Sequence, residues 1–249
     1  MRPKRVLLKA SGEALNGKEK KFPWDDQVIE TIAHEIAAAN GKGVEIAVVM
    51  GGGNIFRGAN GKMDRVRGDQ IGMLATLQNG IALADVLISH ELEVRLTTAV
   101  EINEVAEKYL VHKARHHLEA GRIVILAGGT GHGFCTTDYA AALRASELEC
   151  DLLAMAKNVN GVYDSDPKAN PNARLLTQAS YERCLREDLK VMDTEAFARC
   201  RDGNIPIRVF SLLEKGNIEA ALTGAPIGTL VSSLPDPDWM PPARTTAHA

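Results

Sequence analysis

Short runs rich in apolar residues recur along the chain at 5–9, 44–50, 93–98, 122–127, 151–155 and 206–210, each bounded by turn-forming or charged positions. The run at 44–50, Val-Glu-Ile-Ala-Val-Val-Met, is apolar at almost every position, as in a parallel strand buried on both faces. Between most of these runs the apolar period lengthens to that of a helix. Helices are predicted at 25–40, closed by Gly41, and from Asp69 to about Ser89, where Ile71, Leu74, Leu77, Gln78 and Ile81 keep a 3.6-residue rhythm. Others are predicted at 112–120, closed by Gly121, at 138–148, and at 194–202, closed by Gly203. Such alternation predicts an α/β fold with a mainly parallel sheet and helices on both faces.

Asn160-Gly-Val-Tyr-Asp-Ser-Asp-Pro167 and Ala169-Asn-Pro-Asn172 carry turn chemistry and predict an irregular excursion beyond the fifth strand. One domain over 1–234 is expected, with a first lobe at about 1–150 and a second at about 151–234. Pro235, Pro237, Pro241 and Pro242 cannot continue a helix or central strand, so 235–249 is expected to be a disordered tail. With 45% hydrophobic and 24% charged residues the chain has an ordinary globular composition, and its net charge of -3 supplies no field that would attract nucleic acid. Cys135, Cys150, Cys184 and Cys200 show no CxxC spacing, and no signal-peptide core precedes the first strand, which together point to reduced thiols in a cytoplasm. No apolar run is read as approaching the ~18 residues of a membrane span, so no membrane partner is expected.

Three loops follow strands and carry anion-binding chemistry. Lys9 ends the first strand before Ala10, Ser11 and Gly12, where its ammonium can cancel phosphate charge or simply cap a strand in solvent. Gly51, Gly52 and Gly53 follow the second strand and lead through Asn54, Ile55 and Phe56 to Arg57. Consecutive glycines make a nest of backbone N–H groups that no Cβ obstructs, and an arginine can fork onto a phosphate held there. The third loop, Gly128-Gly129-Thr130-Gly131-His132-Gly133-Phe134-Cys135-Thr136-Thr137-Asp138, crowds hydroxyls and free N–H groups at a helix start whose dipole favours an anion. N-capping by Thr137 or Asp138 accounts for those two residues but not for the glycines before them.

Familiar phosphate motifs do not fit. Gly61-Lys62 is followed by Met63 and lacks the upstream glycine of a P-loop. Both candidate dinucleotide fingerprints arrive at phenylalanine, Phe56 and Phe134, where the third glycine belongs. The H-R-D loop of protein kinases is missing as well. What remains is a sheet with several anion loops, suited to holding two phosphorylated molecules face to face.

Six collinear segments carry a resemblance: Lys9-Ala-Ser-Gly-Glu-Ala-Leu15, Gly51-Gly-Gly-Asn-Ile-Phe-Arg-Gly58, Arg67-Gly-Asp69-x-x-Gly-Met-Leu-Ala-Thr76, Thr130-Gly-x-x-Phe-x-Thr-Thr-Asp138, Gly161-Val-Tyr-Asp-Ser-Asp166-Pro and Leu189-Lys-Val-Met-Asp193. From about Arg5 to Ser232 the chain resembles the bacterial uridylate kinases of the amino acid kinase superfamily. The lysine-glycine start is shared with carbamate, aspartate, glutamate and acetylglutamate kinases, whereas the Asn-Ile-Phe-Arg and Thr-Gly-x-x-Phe-x-Thr-Thr segments set the uridylate kinases apart. The resemblance implies a three-layer αβα sandwich with a phosphate-acceptor lobe followed by an ATP lobe. It also implies transfer of the γ-phosphoryl of ATP to UMP with Mg²⁺ in pyrimidine biosynthesis, a homohexamer, and allosteric control.

By family pattern, Lys9, Ala10, Ser11 and Gly12 meet ATP phosphates, with Gly53 and Arg57 at the junction, while Asn158, Tyr163 and Asp166 meet adenosine. Gly52, Asp69, Thr130, Gly131, His132, Gly133, Phe134, Cys135, Thr136 and Thr137 fall to UMP, Asp69 on the ribose hydroxyls. Lys9 and Arg57 are the expected catalytic cations. Asp138 and Asp193 either orient Lys9 or metal-bound water, or cap helices. No residue is assigned to magnesium, which the ATP phosphates are expected to hold. The pattern departs from the family at Lys18-Glu-Lys-Lys-Phe-Pro-Trp-Asp25, where many relatives carry a Gly-Phe-Gly-Ile-like stretch tied to GTP activation, and at His132-Gly133, where Asn-Pro is commoner. Two alternatives stay open: a kinase of the same fold acting on a carboxylate or carbamate, and a non-catalytic nucleotide-binding protein. Of the remaining candidates, His112, His116 and His117 are expected to form a solvated basic face rather than a metal site. The stripe of Met73, Leu74, Leu77 and Ile81 is expected in the core or at a subunit contact.

Overall fold

The computed structural model describes residues 2–17, 19, 22–57, 63–167, 169–236 and 239. Among the described residues nine strands form one sheet: β1 (Arg5–Ala10), β2 (Glu45–Met50), β3 (Val94–Thr98), β4 (Glu107–Lys108), β5 (Ile123–Ala127), β6 (Leu152–Lys157), β7 (Gln178–Ser180), β8 (Ile207–Ser211) and β9 (Thr229–Ser232). Their order is β4-β3-β5-β2-β1-β6-β8-β9-β7, and every pairing is parallel except β8 with β9. The helices are α1 (Asp26–Gly41), α2 (Arg65–Ser89), α3 (Val111–Glu119), α4 (Thr137–Glu147), α5 (Tyr181–Arg186), α6 (Thr194–Asp202) and α7 (Asn217–Leu222).

Alternate residues of the central strands enter two cores. Val6, Leu8, Ile46 and Val48 pack with Ile32, Ile36, Leu83, Leu87 and Leu222 of α1, α2 and α7 on one face. On the other, Leu7, Ala47, Val49 and Met155 pack with Leu118, Ala141, Cys184 and Phe197 of α3, α4, α5 and α6. The result is the expected αβα sandwich with a mainly parallel sheet. β1 pairs with both β2 and β6, so strands from both expected lobes share one sheet.

Several boundaries differ from the sequence expectation, each for a local reason. Asp64 accepts from Arg67 N at 3.2 Å and caps α2 a full turn ahead of Asp69. Gly41 ends inside α1, and Gly43, at φ 82°, takes the left-handed position instead. The excursion after β6 is folded back on itself by a bridge between Tyr163 and Leu175. Nor is the beginning of the tail loose: Pro235 O accepts from Gln178 Nε2 at 3.0 Å, and buried Asp236 pairs with Arg183 at 3.0 Å. The rest of the expected tail, apart from Trp239, lies outside the described residues.

α2 departs most. Its 25 residues reach a mean hydropathy of 1.6 over their most apolar window, long and apolar enough to cross a membrane by length and composition alone. Counting uninterrupted runs misses this because Gln78, Asn79 and Asp85 break the sequence. Here it lies on the sheet, and the face it buries is built from Gly68, Ala75, Thr76, Leu77, Asn79, Gly80, Leu83, Ala84 and Leu87. Leu74, Ile81 and Ile88 are exposed. With apolar residues on its exposed side as well, the helix offers periodicity no single inner face; the second loop comes close at Gly72, Ala75 and Thr76.

Candidate active site

Parallel strands end at a common edge, so the loops after β1, β2, β5 and β6 converge at the carboxyl edge of the sheet. The first two touch backbone to backbone. A Cβ on Gly12 would lie 2.4 Å from Gly51 O, and one on Gly51 would lie 2.9 Å from Gly12 N, so neither position admits a side chain. Ser11 N donates to Ala156 O at 3.2 Å, laying the first loop over the end of β6. Gly52 seats the second loop on α2, since a Cβ there would meet Gly72 O at 2.8 Å. Thr76 Oγ1 of α2 accepts from Gly128 N at 2.9 Å and fastens the third loop to the same helix.

Asp138 is the electrostatic centre of this edge. Its Oδ1 lies 2.7 Å from Lys9 Nζ, and its Oδ2 lies 3.4 Å from Lys157 Nζ. Burial alone would raise the Asp138 carboxyl, but Lys9 and Lys157 outweigh it and hold its pKa below the ordinary aspartate value. Burial, with help from the neighbouring Lys9 charge, lowers the pKa of Lys157 against the pull of Asp138. Lys157 Nζ also donates to Val191 O at 2.5 Å. The cap of α4 is Thr136, whose Oγ1 accepts from Tyr139 N at 3.0 Å, and not Thr137 or Asp138. Asp193 caps α6 through Ala196 N at 2.8 Å, and its other oxygen accepts from the Thr136 hydroxyl. Capping and site contact thus coexist at Asp193, while Asp138 is given over to the two lysines.

Two clefts flank this cluster. The first, of about 420 Å³, is lined by Gly52, Gly53, Arg57, Asp69, Thr130, His132, Cys135, Thr136 and Thr137 among the expected residues. Gly131, Gly133 and Phe134 are not on its wall, and Phe134 is exposed with φ 62°. Asp69 already accepts from Arg65 Nε at 3.0 Å and from Phe134 N at 2.7 Å, so it anchors the third loop to α2. Arg57 is ion-paired with Glu13 across the first and second loops. The second cleft, of about 390 Å³, is lined by Tyr163 and Asp166 with Val159, Leu189 and Lys190. Asn158 is exposed on the turn just after β6 and does not line it. The two lysines lie between: Asp138 follows Thr136 and Thr137 of the first cleft, and Lys157 reaches Val191 beside Leu189 and Lys190 of the second.

Lys157 and Arg65 also stand at the site, though the sequence pattern did not single them out. For Lys157 a signal existed, because it ends a central strand just as Lys9 nearly does, but the strand was expected to stop at Met155. Among the three histidines, His112 and His116 are exposed as expected, whereas His117 is buried, 3.3 Å from Arg122 Nη1 and 3.6 Å from Glu107. Burial lowers its pKa. No group of three or more His, Cys, Asp or Glu side chains suited to a metal ion occurs among the described residues. All four cysteines are free, and burial pushes the thiols of Cys150, Cys184 and Cys200 up to about 12, which leaves them unreactive.

Comparison with known proteins gives a consistent picture. Residues 4–211 match the model of the amino acid kinase family. Over 232 residues, 92% of this chain and 68% of the relative, the sequence is 49% identical to the chloroplastic uridylate kinase PUMPKIN of Arabidopsis thaliana. The crystal structure of UMP kinase from Bacillus anthracis superposes with a TM-score of 0.89 at 40% identity, covering 94% of this chain and 97% of that one. That of UMP kinase from Ureaplasma parvum gives 0.87 at 35% identity, covering 93% and 100%.

Proposed function

This chain belongs to the amino acid kinase family, and from that footing we infer that it is a UMP kinase, transferring the γ-phosphoryl group of ATP to UMP to give UDP and ADP. The observation that carries the chemistry is the pair of lysines held on one half-buried carboxylate between two clefts. Phosphoryl transfer asks little covalent work of a protein, so catalysis is in-line positioning and neutralisation of charge on the group in flight. Asp138 faces both ammonium groups and Asp193 also pulls on Lys157, so an incoming phosphate competes with carboxylates for the two lysines. In this assignment Lys9 and Lys157 stabilise the moving phosphoryl group. Arg57 exchanges Glu13 for the acceptor phosphate, and Asp193, through Thr136, steadies the start of α4. The UMP phosphate is ionised near neutral pH, so no strong general base is required.

UMP takes the first cleft, with Gly52, Asp69 and the wall from Thr130 to Thr137 around it. Residues 131, 133 and 134 contribute through the shape of the loop. ATP lies over Lys9, Ala10, Ser11, Gly12 and Gly53, with Tyr163 and Asp166 against adenosine and Asn158 at the rim. Magnesium binds one or two carboxylates plus phosphates more readily than an all-protein cage. Both oxygens of Asp138 already face ammonium groups, which favours an ion held chiefly by the ATP phosphates, where it neutralises their charge. The exposed stripe of Leu74, Ile81 and Ile88 supports self-association, with a homohexamer under allosteric control as the assembly proposed. Four free thiols agree with a reducing, cytoplasmic setting.

Release of ADP measured over a panel of acceptors tests the function. UMP is expected to support turnover and carbamate, aspartate, glutamate and acetylglutamate are not. Turnover with one of those acceptors and none with UMP would overturn the assignment, and so would binding of both nucleotides without turnover.

A further inference from the structure

Asn79 is fully buried in the middle of α2, where an apolar residue would serve the core as well and an amide must find partners for all its polar atoms. It finds them in one place. Asn79 Nδ2 donates to Gly51 O at 2.7 Å and to Asn54 Oδ1 at 2.8 Å, while Asn54 Nδ2 donates to Asn79 Oδ1 at 2.9 Å and to Pro23 O at 2.8 Å. Both outer partners are carbonyls and need donors, which fixes the orientation of each amide. The ring is closed, with every N–H of both side chains used.

Its effect falls on the glycine loop. In a planar trans peptide the carbonyl and the following N–H point in opposite directions. By drawing Gly51 C=O toward α2, Asn79 sends Gly52 N–H the other way. Neither Gly52 N nor Gly53 N has a hydrogen-bond acceptor among the described residues, and both glycines line the first cleft. Asn54 Oδ1 also lies 2.7 Å from where a Cβ on Gly12 would sit, so the same pair lies beneath the donor loop.

We propose that Asn54 and Asn79 form a positioning pair that aims the Gly52 amide into the first cleft, at the acceptor phosphate in line for transfer, and fixes the donor loop against the acceptor loop. The pair touches no substrate and acts through the backbone of residues 51–53. This rests on the phosphoryl-transfer function above, which the wild-type enzyme tests separately in the same assay.

Initial rates with UMP and ATP are to be measured for Asn79→Ser, Asn54→Ser and the double variant, each well below its own melting midpoint and with the folded fraction determined. Each single variant is expected to lower kcat by about tenfold or more while both KM values stay within about threefold, because misaimed groups fail in the transition state. The double variant is expected to be no slower than the slower single one, since either change breaks the same ring. Folded variants whose kcat stays within about twofold of wild type would overturn the proposal, as would independent, multiplying losses in the double variant. Activity losses accounted for by unfolding, or failure of both single variants to fold, would reduce the pair to a stability element and equally overturn it.

Discussion

At its two edges the sheet carries buried charge in opposite ways. On the amino edge, Arg5 faces Glu45 across the β1–β2 register, with Nε 2.6 Å from Glu45 Oε2 and Nη1 donating to Leu148 O at 2.7 Å. Close by, Asp151 accepts from the amides of Lys4 and Arg5 at 2.7 and 2.9 Å. There each charge meets its opposite and the chain's own backbone. On the carboxyl edge one carboxylate serves two lysines, and amides of the glycine loop lack acceptors among the described residues. Closed charge holds the strands in register, whereas open charge is poised for an anion. The same residue types do both, and what differs is whether the balance is completed inside the protein.

Breaking the closed side should cost the most. Arg5→Ala leaves the Glu45 carboxylate buried and is expected to destabilise the fold by about 3–5 kcal/mol, toward the lower end because Lys4 Nζ stays 3.1 Å from Glu45. Urea unfolding measures that loss, and kcat per folded molecule is expected to remain at the wild-type value.

The open side should show its character in pH dependence. Lys157 acts as a cation, and burial first, then Lys9, holds its pKa below that of an ordinary lysine. On raising the pH, kcat should therefore fall before an ordinary lysine would titrate. Stability should move the other way. Between the folded and unfolded pKa values the unfolded chain binds more protons, so this contribution to stability rises with pH and is lost as pH falls through the folded value. Lys157→Arg, whose guanidinium stays charged, is expected to remove the alkaline fall while lowering kcat about tenfold through altered geometry. A pH–rate profile beside a pH–stability profile checks both signs. The smallest effect is expected at Lys4, whose side chain is 76% exposed although it pairs with Glu45: Lys4→Ala should change stability by no more than about 1 kcal/mol.

The strands and part of the carboxyl edge were legible in the sequence, whereas nothing in it singled out the Arg5–Glu45 pair of the amino edge. The six runs that became β1, β2, β3, β5, β6 and β8 stood out because strands buried on both faces must be apolar and bounded by turns. β4, β7 and β9 did not, since two to four residues at or near a sheet margin form no run. Lys9 and the glycine loops were visible because each directly follows an apolar run. Lys157 was hidden by ending the strand at Met155, and Asp138 could be tied to Lys9 only as one of two options until the fold brought them to 2.7 Å. Asn79 was invisible for a physical reason: in a helix with apolar residues on its exposed side as well, one amide reads as solvent-facing until the loop it grips is seen. His117 belongs to the same class, a polar residue that looks exposed by type and is buried by its neighbours.

The central claim is that cations held on Asp138 carry the transferring phosphoryl group, and turnover of UMP by Lys9→Ala tests it most directly. Removal of one such contact is expected to lower kcat by about two orders of magnitude, near 3 kcal/mol of transition-state stabilisation, in an enzyme that remains folded. A folded Lys9→Ala enzyme that keeps most of its wild-type turnover would contradict the claim.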